Sequence, residues 1–492
     1  LFYPLTREQI IGIAASVESM RAGDIEPLHL PRNPLDILAQ QTVAAAAMED
    51  LDTDQWYDVV RRAAPFAQLD RPTFDAVIGM MTGAYDTEDF SAFRPPLMFN
   101  EENGLVSARP GAQRLAVTSG GTIPDRGLYT VVLPEADAGN GQRRVGELDE
   151  EMVYESRVGD VITLGTSTWQ IQDITRDRVI VTPAPGRTAR LPFWHGEGIG
   201  RDVGFGKTKG RFLRDISAGL SDGASFDAAI MQRLKADGLD ANAIANLATL
   251  LSEQRASTGV IPNDRQLVIE RCPDEEGDWH IILHSPYGRR VHEPWAMAIS
   301  QRIKQRYGFD GQTYAADDGI VIRLPDGVFD ADANVADNGF NGPASQRLSS
   351  TNDFGADRRI IDLPQHRRID NSRLRDLLLF DPDELTRDIE TQIGESVLFA
   401  ARFRECAARS LFLPRTDPGR RVPLWQQRLR ASQLLNAART RRNFPLLLET
   451  ARECLQDVYD MPALRALMTD LRSGIITLSD VRTPQPSPLA EN

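Results

Sequence analysis

The 492-residue chain has little of what several large classes of protein require. Its three cysteines, Cys272, Cys406 and Cys454, are too few and too widely separated for a disulfide framework or a thiolate metal site. No apolar run approaches the roughly 18 residues of a membrane span, and the first residues do not have the basic start of a signal peptide. We therefore expect a cytoplasmic protein without a membrane partner.

The sequence also lacks a convincing catalytic or nucleotide-binding signature. Residues 191–210 (LPFWHGEGIGRDVGFGKTKG) contain a Gly-Lys-Thr, but a P-loop needs a glycine five residues before Gly206, where Arg201 stands. His280 and His284 would share one face of a helix, yet their alternation with Trp and Ile predicts a strand. We therefore predict no catalytic residue, no metal site and no cofactor site in this chain.

Charge is unevenly distributed along the chain. The formal net charge of -14 argues against nonspecific nucleic-acid binding. Eleven arginines against Glu405 and Asp417 nevertheless give residues 401–445 a net charge of +9. An excess of arginine over lysine favours planar or phosphate partners, and a solvated helical face is the alternative. Arg420 and Arg421 are the candidate phosphate contacts in this segment.

Hydrophobic periodicity predicts four helices in the first part of the chain, over 5–22, 34–48, 52–63 and 71–82. Thr53 is the expected N-cap of the third helix. The last three helices precede an extended stretch with an Asn-Gly turn at 103–104, which together predict a winged helix with a hairpin wing. A plain three-helix bundle is the alternative.

The rest of the chain predicts further modules, so the fold class is α+β and multidomain. Short segments rich in Val, Ile and Thr from Val117 onward predict a small antiparallel β-barrel or curled sheet. Asp149-Glu150-Glu151 resembles a DExx motif but lacks a preceding apolar strand, and predicts a polar loop or helix start. Helices and then a β-β-α-β order follow, which is typical of an α+β module. Residues 327–358 are poor in large apolar residues and predict a mobile insertion. We expect helix from about Pro382 to the end.

Two glycine-rich turns flank the predicted β module, at 118–127 (TSGGTIPDRG) and 191–201 (LPFWHGEGIGR). The backbone amides of Gly120 and Gly121 are candidates to bind phosphate oxygens, and Trp194 offers a face on which an unpaired base can stack. A tryptophan beside another aromatic residue is, in the alternative, a core residue.

These stretches resemble the Lhr family (large helicase-related proteins) of superfamily 2 helicases. The resemblance rests on PRNPLDILAQQ, RPGAQRLAVTSGGTIPDRG, VGELDEEMVYESRVGDVITLGTSTWQI, PAPGRTARLPFWHGEGIGR, FRECAARSLFLPR, PLWQQR and RECLQDVYDMPAL. In that family two RecA-like ATPase domains precede a winged helix and a family-specific domain. Because the first residue is Leu1 and no ATPase motif is present, we expect the chain to begin inside a larger protein, after its motor domains.

The resemblance and the periodicity together predict six parts. They are the end of the second RecA-like domain (1–27), a winged helix (28–115), a β-barrel-like module (116–205), a helical plus α+β module (206–326), a mobile insertion (327–358) and a helical module (359–492).

The resemblance implies that this chain grips single-stranded DNA and separates duplexes within an ATP-dependent 3′-to-5′ helicase that also acts on RNA:DNA hybrids, in DNA repair. ATP and Mg²⁺ would bind the upstream RecA-like motor domains, and the chain alone would have no cofactor. Ile123 and Trp194 match positions that touch the tracking strand in the family. Thr122, Arg126 and His195 lie beside them in the two turns and complete the candidate contacts.

Two other classes of function stay open. A structural or protein-interaction module would dock a partner through residues 401–445. A DNA glycosylase-like module would need a carboxylate near Trp194, such as Glu197 or Asp125, and would release a base without ATP.

Overall fold

A computed structural model describes most of the chain. The described residues are 2–85, 93–123, 128–134, 144–149, 152–153, 156–164, 167–175, 178–185, 200–274, 278–309, 311–325, 328, 369–413, 424–441 and 443–491.

The described helices are α1 (Arg7–Ala22), α2 (Leu35–Ala46), α3 (Thr53–Arg61), α4 (Arg71–Thr82), α5 (Ala112–Ser119), α6 (Val203–Ala218), α7 (Ala228–Ala236), α8 (Ala241–Thr258), α9 (Arg289–Tyr307), α10 (Asn371–Leu378), α11 (Pro382–Ile393), α12 (Val397–Arg409), α13 (Leu424–Arg439), α14 (Pro445–Arg452) and α15 (Met461–Ser473). A short 3-10 helix (Ala64–Phe66) follows α3, and a π-helical turn (Glu453–Val458) follows α14.

The described strands are β1 (Leu51–Asp52), β2 (Leu97–Asn100), β3 (Leu105–Ala108), β4 (Leu128–Val132), β5 (Arg144–Asp149), β6 (Val161–Leu164), β7 (Ser167–Ile174), β8 (Arg178–Pro183), β9 (Gln266–Pro273), β10 (Trp279–His284), β11 (Gln312–Ala316), β12 (Gly319–Leu324) and β13 (Thr477–Arg482). None of the helices within the described ranges has both the length and the apolar character needed to cross a bilayer.

The chain forms two compact units, each built from segments distant in sequence. Unit 1 contains Leu1–Leu28, Ile199–Gln392 and Val458–Asn492, and unit 2 contains His29–Gly198 and Ile393–Asp457. The division into six parts stays a prediction.

The predicted winged helix is confirmed in unit 2. Helices α2, α3 and α4 accompany a three-stranded sheet in the order β1-β3-β2, with β1 between α2 and α3 and the β2–β3 hairpin after α4. The β2–β3 hairpin turns at Gly104, whose φ of 69° lies in the left-handed region that glycine adopts without a steric penalty. The predicted N-cap of α3 is wrong by one residue, because the side chain of Asp52, and not that of Thr53, accepts hydrogen bonds from the first-turn amides.

The strand-rich segment of unit 2 forms a five-stranded sheet in the order β5-β4-β8-β7-β6. Its core contains Val131, Leu148 and Val179, all fully buried. The expectation of a purely antiparallel arrangement is wrong, because β4 and β8 pair in parallel. In the described residues the sheet is open, so closure into a barrel stays a prediction.

Residues 144–149 form a strand that the sequence did not predict; Asp149 of the predicted polar loop or helix start ends this strand, and Glu150 and Glu151 lie outside the described residues. β5 pairs with β4 in antiparallel register, with Tyr129 opposite Leu148. The local sequence is rich in charge, but burial of Leu148 and pairing with β4 outweigh local propensity, as is common for strands.

Unit 1 is organised around a second five-stranded sheet, in the order β11-β12-β10-β9-β13. The predicted strands β9, β10 and β12 and the helix α9 are confirmed. The expectation of continuous helix from Pro382 onward is wrong at β13, which pairs in parallel with β9. Because β13 has no apolar run of its own, its strand conformation depends on this long-range pairing.

A helical cluster completes unit 1. Helix α1 packs against α6 and α8, and Ile11, Ala14 and Leu247 are among its most buried residues. Helix α1 ends as predicted at Gly23, whose φ is 70° and whose amide donates to the carbonyl of Met20.

Candidate nucleic-acid interface

The first of the two predicted turns follows helix α5 directly. A side chain at Gly120 would place its Cβ 2.6 Å from the carbonyl oxygen of Ala116, and Gly121 has a φ of 110°. Neither position therefore accepts another residue without strain. The sequence folds into this turn because two successive glycines end the helix and leave the backbone bare.

The turn presents its side chains to solvent. Gly120, Gly121 and Thr122 are exposed, and Ile123 is 87% exposed. Helix α5, which carries the turn, packs against α2. The arrangement offers an unhindered backbone and one large apolar side chain on a fixed base, which suits contact with a sugar, base or phosphate of a single strand.

The turn is attached to the winged helix by Gln40 of α2. The amide group of Gln40 donates to the carbonyl oxygen of Gly121 at 3.0 Å, and its Oε1 accepts from the Gly121 amide at 3.0 Å. The same Nε2 also donates to the carbonyl oxygen of Arg409 at 2.7 Å. Gln40 is only 5% exposed, and these bonds satisfy both ends of its buried amide.

A buried ion network lies beside this attachment. Nε of Arg409 donates to Oδ2 of Asp36 at 2.5 Å, and another nitrogen of the same guanidinium donates to Glu453. Burial alone would lower the pKa of Arg409, but the carboxylates of Asp36 and Glu453 hold that pKa above its ordinary value. Arg409 therefore remains charged and links α12 to α2 and to the π-helical turn.

Helix α14 joins the same network through Glu449. Its carboxylate accepts from the amide of Leu35 at 2.8 Å and from Arg452 at 2.7 Å. Burial raises the pKa of Glu449 to about 7, although Arg452 opposes that shift. Thus α12 and α14 pack on helix α2 of the winged helix through buried polar contacts.

Asp36, Cys406 and Glu453 lie close enough together to hold a metal ion. The guanidinium of Arg409 already bonds both carboxylates and lies 3.3 Å from Sγ of Cys406. Burial also raises the pKa of Cys406 well above its usual value, which disfavours the thiolate that metals prefer. We therefore assign this cluster to Arg409 and to no metal ion.

The structure brings together only some of the predicted contact residues. Gly120, Gly121, Thr122 and Ile123 form the turn described above. The other candidates lie outside the described residues; they are Arg126, Trp194, His195, Arg420 and Arg421. Gln40 was missed; its place one turn after Asp36 was visible in the sequence, but Gln41 and Thr42 of the same helix are polar too, so Gln40 did not stand out.

The structure changes the interpretation of the arginine-rich segment. Arg409 and Arg402 are largely buried in ion pairs with carboxylates, Arg402 with Glu405 and Glu453. Arg439 donates to the carbonyl oxygen of Gly394. The +9 charge summed along the sequence therefore does not describe an open cationic surface, because some of its arginines hold unit 2 together.

The Gly-Lys-Thr at 206–208 lies within helix α6 and does not form a phosphate-binding loop. The carboxylate of Asp202 caps this helix by accepting from the Gly204 amide, so a negative charge already occupies its amino end. A Cβ at Gly206 would lie 2.2 Å from the carbonyl oxygen of Pro286. The glycine is required by helix packing, which agrees with the failure of the P-loop spacing.

The two histidines with metal-ligand spacing lie on strand β10, as predicted, and have other partners. Nε2 of His284 is 2.8 Å from Glu270, which is fully buried, and His280 is 3.6 Å from Asp274. Glu270 also accepts from the amide of Ser487 at 2.7 Å. These contacts connect the last residues of unit 1 to its central sheet.

Comparison with known proteins gives two family matches along the chain. Residues 18–191 match the model described as "Large helicase-related protein, winged helix domain", and residues 261–490 match the model described as "DEAD/H associated".

Curated relatives match the chain from end to end. The "Lhr helicase/uracil glycosylase" of Escherichia coli (strain K12) is 54% identical over 490 residues, which are 100% of this chain and 29% of that protein. The "Lhr helicase/ probable uracil glycosylase" of Mycolicibacterium smegmatis is 48% identical with the same coverage. The "ATP-dependent helicase Lhr-Core" of Saccharolobus solfataricus is 26% identical, over 99% of this chain and 50% of that protein.

A solved structure is also similar. It is described as "Structure of Mycobacterium smegmatis helicase Lhr bound to ssDNA and AMP-PNP", with a TM-score of 0.71 and 42% identity. The match covers 99% of this chain and 51% of that one. The chain thus spans about half or less of the length of the relatives it matches.

Proposed function

Because this chain belongs to the Lhr family of large helicase-related proteins, we propose that it is the strand-gripping, duplex-separating portion of an ATP-dependent 3′-to-5′ helicase. Its proposed substrates are single-stranded DNA and DNA or RNA:DNA duplexes, and its proposed setting is DNA repair. Support comes from the helicase names of its relatives and from the single-stranded DNA in the similar structure.

The observation that carries this proposal is the turn from Gly120 to Ile123. It combines a bare backbone, an 87% exposed isoleucine and attachment to a buried glutamine of the winged helix. A translocating strand needs a contact that is accessible yet does not move with the strand. The turn meets both requirements, and Trp194, outside the described residues, is the proposed stacking partner on a neighbouring base.

The described residues do not fit ATP and Mg²⁺. The Gly-Lys-Thr is inside α6, and the carboxylate of Asp202 occupies the amino end of that helix. We propose that nucleotide binding belongs to RecA-like motor domains elsewhere in the full-length protein, which would supply the energy of translocation. This chain would hold the strand against back-slippage and separate the duplex at the exit of the strand. Closure of the β4–β8 sheet into a barrel belongs to the same proposal, since a closed module would give the residues around Trp194 a rigid base.

The relatives' names also favour the helicase function over base removal. Two bacterial relatives carry "uracil glycosylase" in their names, and the chain covers 29% of each, whereas it covers 50% of the Lhr-Core relative that is named only as a helicase. All three names contain the word helicase, and all three proteins contain the region that aligns with this chain. We therefore assign the helicase function to this region. Glu197 and Asp125, the carboxylates that a glycosylase function would need, lie outside the described residues.

We expect the chain to bind labelled single-stranded DNA in a fluorescence-anisotropy titration, and Ile123→Ala and Trp194→Ala to weaken binding. Loss of a stacked base contact costs about 1 to 3 kcal/mol, and the isoleucine contact should cost less. Val158→Ala, at another exposed apolar residue of unit 2, is the control. No binding by any of the proteins would favour the protein-interaction function, and release of a base without ATP would favour the glycosylase function.

A further inference from the structure

One side chain, Gln40, attaches the Gly120–Ile123 turn to the winged helix, and all of its hydrogen bonds are to backbone atoms. Gln40 accepts from the amide of Gly121 and donates to the carbonyl of the same residue, both at 3.0 Å. This pair of bonds imitates the pairing of two strands and fixes the peptide units on both sides of Gly121. The φ of Gly121 is 110°, in a region that residues with side chains rarely adopt, and the two bonds hold the backbone in this conformation before Ile123.

Gln40 is itself held by the carboxyl end of α12. Its amide donates at 2.7 Å to the carbonyl oxygen of Arg409, which is one of the carbonyls that a helix end leaves without an intrahelical partner. The guanidinium of the same Arg409 bonds Asp36, one turn before Gln40 on α2. Arg409 is thus fixed at its backbone by Gln40 and at its side chain by Asp36.

We propose that Gln40 is a positioning residue for strand binding, which transmits the rigidity of the α2–α12 contact to the turn and sets the direction in which Ile123 points. This inference rests on the proposed function, because it assumes that Ile123 touches a nucleic-acid strand. Gln40 itself touches no strand; it is 5% exposed and acts through Gly121. The carbonyl of Arg409 accepts from Gln40, and Asp36 holds the side chain of Arg409.

The test compares Gln40→Met, Ile123→Ala and the double variant in the full 492-residue chain. Methionine keeps the approximate volume of glutamine but removes every hydrogen bond. Gln41→Ala, at the exposed neighbouring position of α2, is the matched control. The two measurements are affinity for labelled single-stranded DNA and amide hydrogen exchange of the segment that contains Gly121.

We expect Gln40→Met to speed exchange at Gly121 and to weaken DNA binding by as much as Ile123→Ala does, about fivefold or about 1 kcal/mol, with Gln41→Ala unchanged in both. The double variant should bind no more than about twofold more weakly than Ile123→Ala, because both changes remove the same contact. A purely structural role of Gln40 would instead weaken binding by the same factor with or without Ile123.

Other outcomes separate the two proposals. If Ile123→Ala weakens binding while Gln40→Met does not, the role of Gln40 is overturned and the proposed function stands. If neither variant changes the affinity, strand contact by the turn is wrong, and the positioning role fails with it. Should Gln40→Met not fold, Gln40→Asn replaces it, since the shorter amide cannot reach both Gly121 and Arg409, and the same expectations apply.

Discussion

At the scale of single residues, His292 is an example of a titratable group whose environment fixes its protonation. The ring is fully buried, with Nδ1 2.6 Å from the carbonyl oxygen of Ala316 and Nε2 2.7 Å from Oγ of Ser285. Burial lowers the pKa of His292 to about 4, so the ring is neutral near pH 7. Nδ1–H then donates to Ala316, and Nε2 accepts from the hydroxyl of Ser285. Because Ser285 is also buried, this serine–histidine pair has no access to a substrate.

This burial predicts a pH dependence of stability. The pKa of His292 is lower in the folded state than the 6.5 of an unperturbed histidine, so the folded chain binds fewer protons than the unfolded chain between about pH 6.5 and 4. The free energy of unfolding should therefore fall as the pH falls through this window, by on the order of 3 kcal/mol. Above pH 6.5 the histidine is neutral in both states, and protonation of His292 in the unfolded chain then does not reduce the free energy of unfolding.

The measurement is the thermal unfolding midpoint of unit 1 at several pH values, for the wild type and His292→Asn. We expect the variant to be less stable at pH 7.5 and to lose less stability between pH 6.5 and 4.5. His280→Asn, at a partly exposed histidine of strand β10, is the control and should follow the wild type. Equal slopes for wild type and His292→Asn would contradict the explanation.

At the scale of elements, helix α6 shows that glycines in a sequence motif can serve packing. Ala in place of Gly206 would place its Cβ 2.2 Å from backbone of Pro286, which cannot move away as a flexible side chain would. By contrast, nothing lies within 4 Å of a Cβ at Gly12 in α1. Gly206→Ala and Gly12→Ala both raise helix propensity, but only Gly206→Ala creates a steric clash.

We therefore expect opposite effects on stability from the same substitution. Gly206→Ala should destabilise unit 1 by about 1 to 3 kcal/mol through overpacking, and Gly12→Ala should stabilise it by about 0.5 to 1 kcal/mol. Urea unfolding of both variants measures the difference. A similar change in both would mean that α6 shifts to accept the methyl group and that packing does not require Gly206.

Elements with local signals could be predicted from the sequence, and elements that depend on distant partners could not. Gly23 ends α1 and Gly104 turns the hairpin because glycine alone permits their backbone angles at no cost. β5 and β13 were missed because their sequences are polar and their strand conformation comes from pairing with β4 and β9. The same holds for the candidate site. The two glycines predict the Gly120–Ile123 turn, but the sequence does not show that Gln40, 81 residues away, bonds to it.

At the scale of the whole molecule, the stability of unit 2 depends on contacts between segments that are far apart in sequence. Arg409 pairs with Asp36 and Glu453 in the interior, so its removal leaves Asp36 without its cation and Glu453 with Arg402 alone. Breaking a buried pair in this way costs about 3 to 5 kcal/mol. Arg409→Ala should therefore loosen the winged helix and helices α12 to α14 together.

Hydrogen exchange followed by mass spectrometry measures this effect. We expect faster exchange in α2 and α12 of Arg409→Ala and unchanged exchange in β9 and β10 of unit 1. Arg430→Ala, at an exposed arginine of α13, is the matched control and should leave exchange unaltered. Protection of α2 that persists in Arg409→Ala would show that apolar packing alone holds the two segments together.

The parallel pairing of β9 with β13 has a consequence for synthesis on the ribosome. β9 is paired on one side by β10, which follows soon after it, but its other edge is covered by a strand that is made only near residue 482. Until then a growing chain carries a sheet edge with a row of free backbone donors and acceptors, flanked by Leu267, Val268 and Ile269. Unpaired edges of this kind pair readily with one another, and a polysome holds many such nascent chains close together. We therefore expect the edge of β9 to be prone to aggregation, unless a chaperone covers it, until β13 has been made.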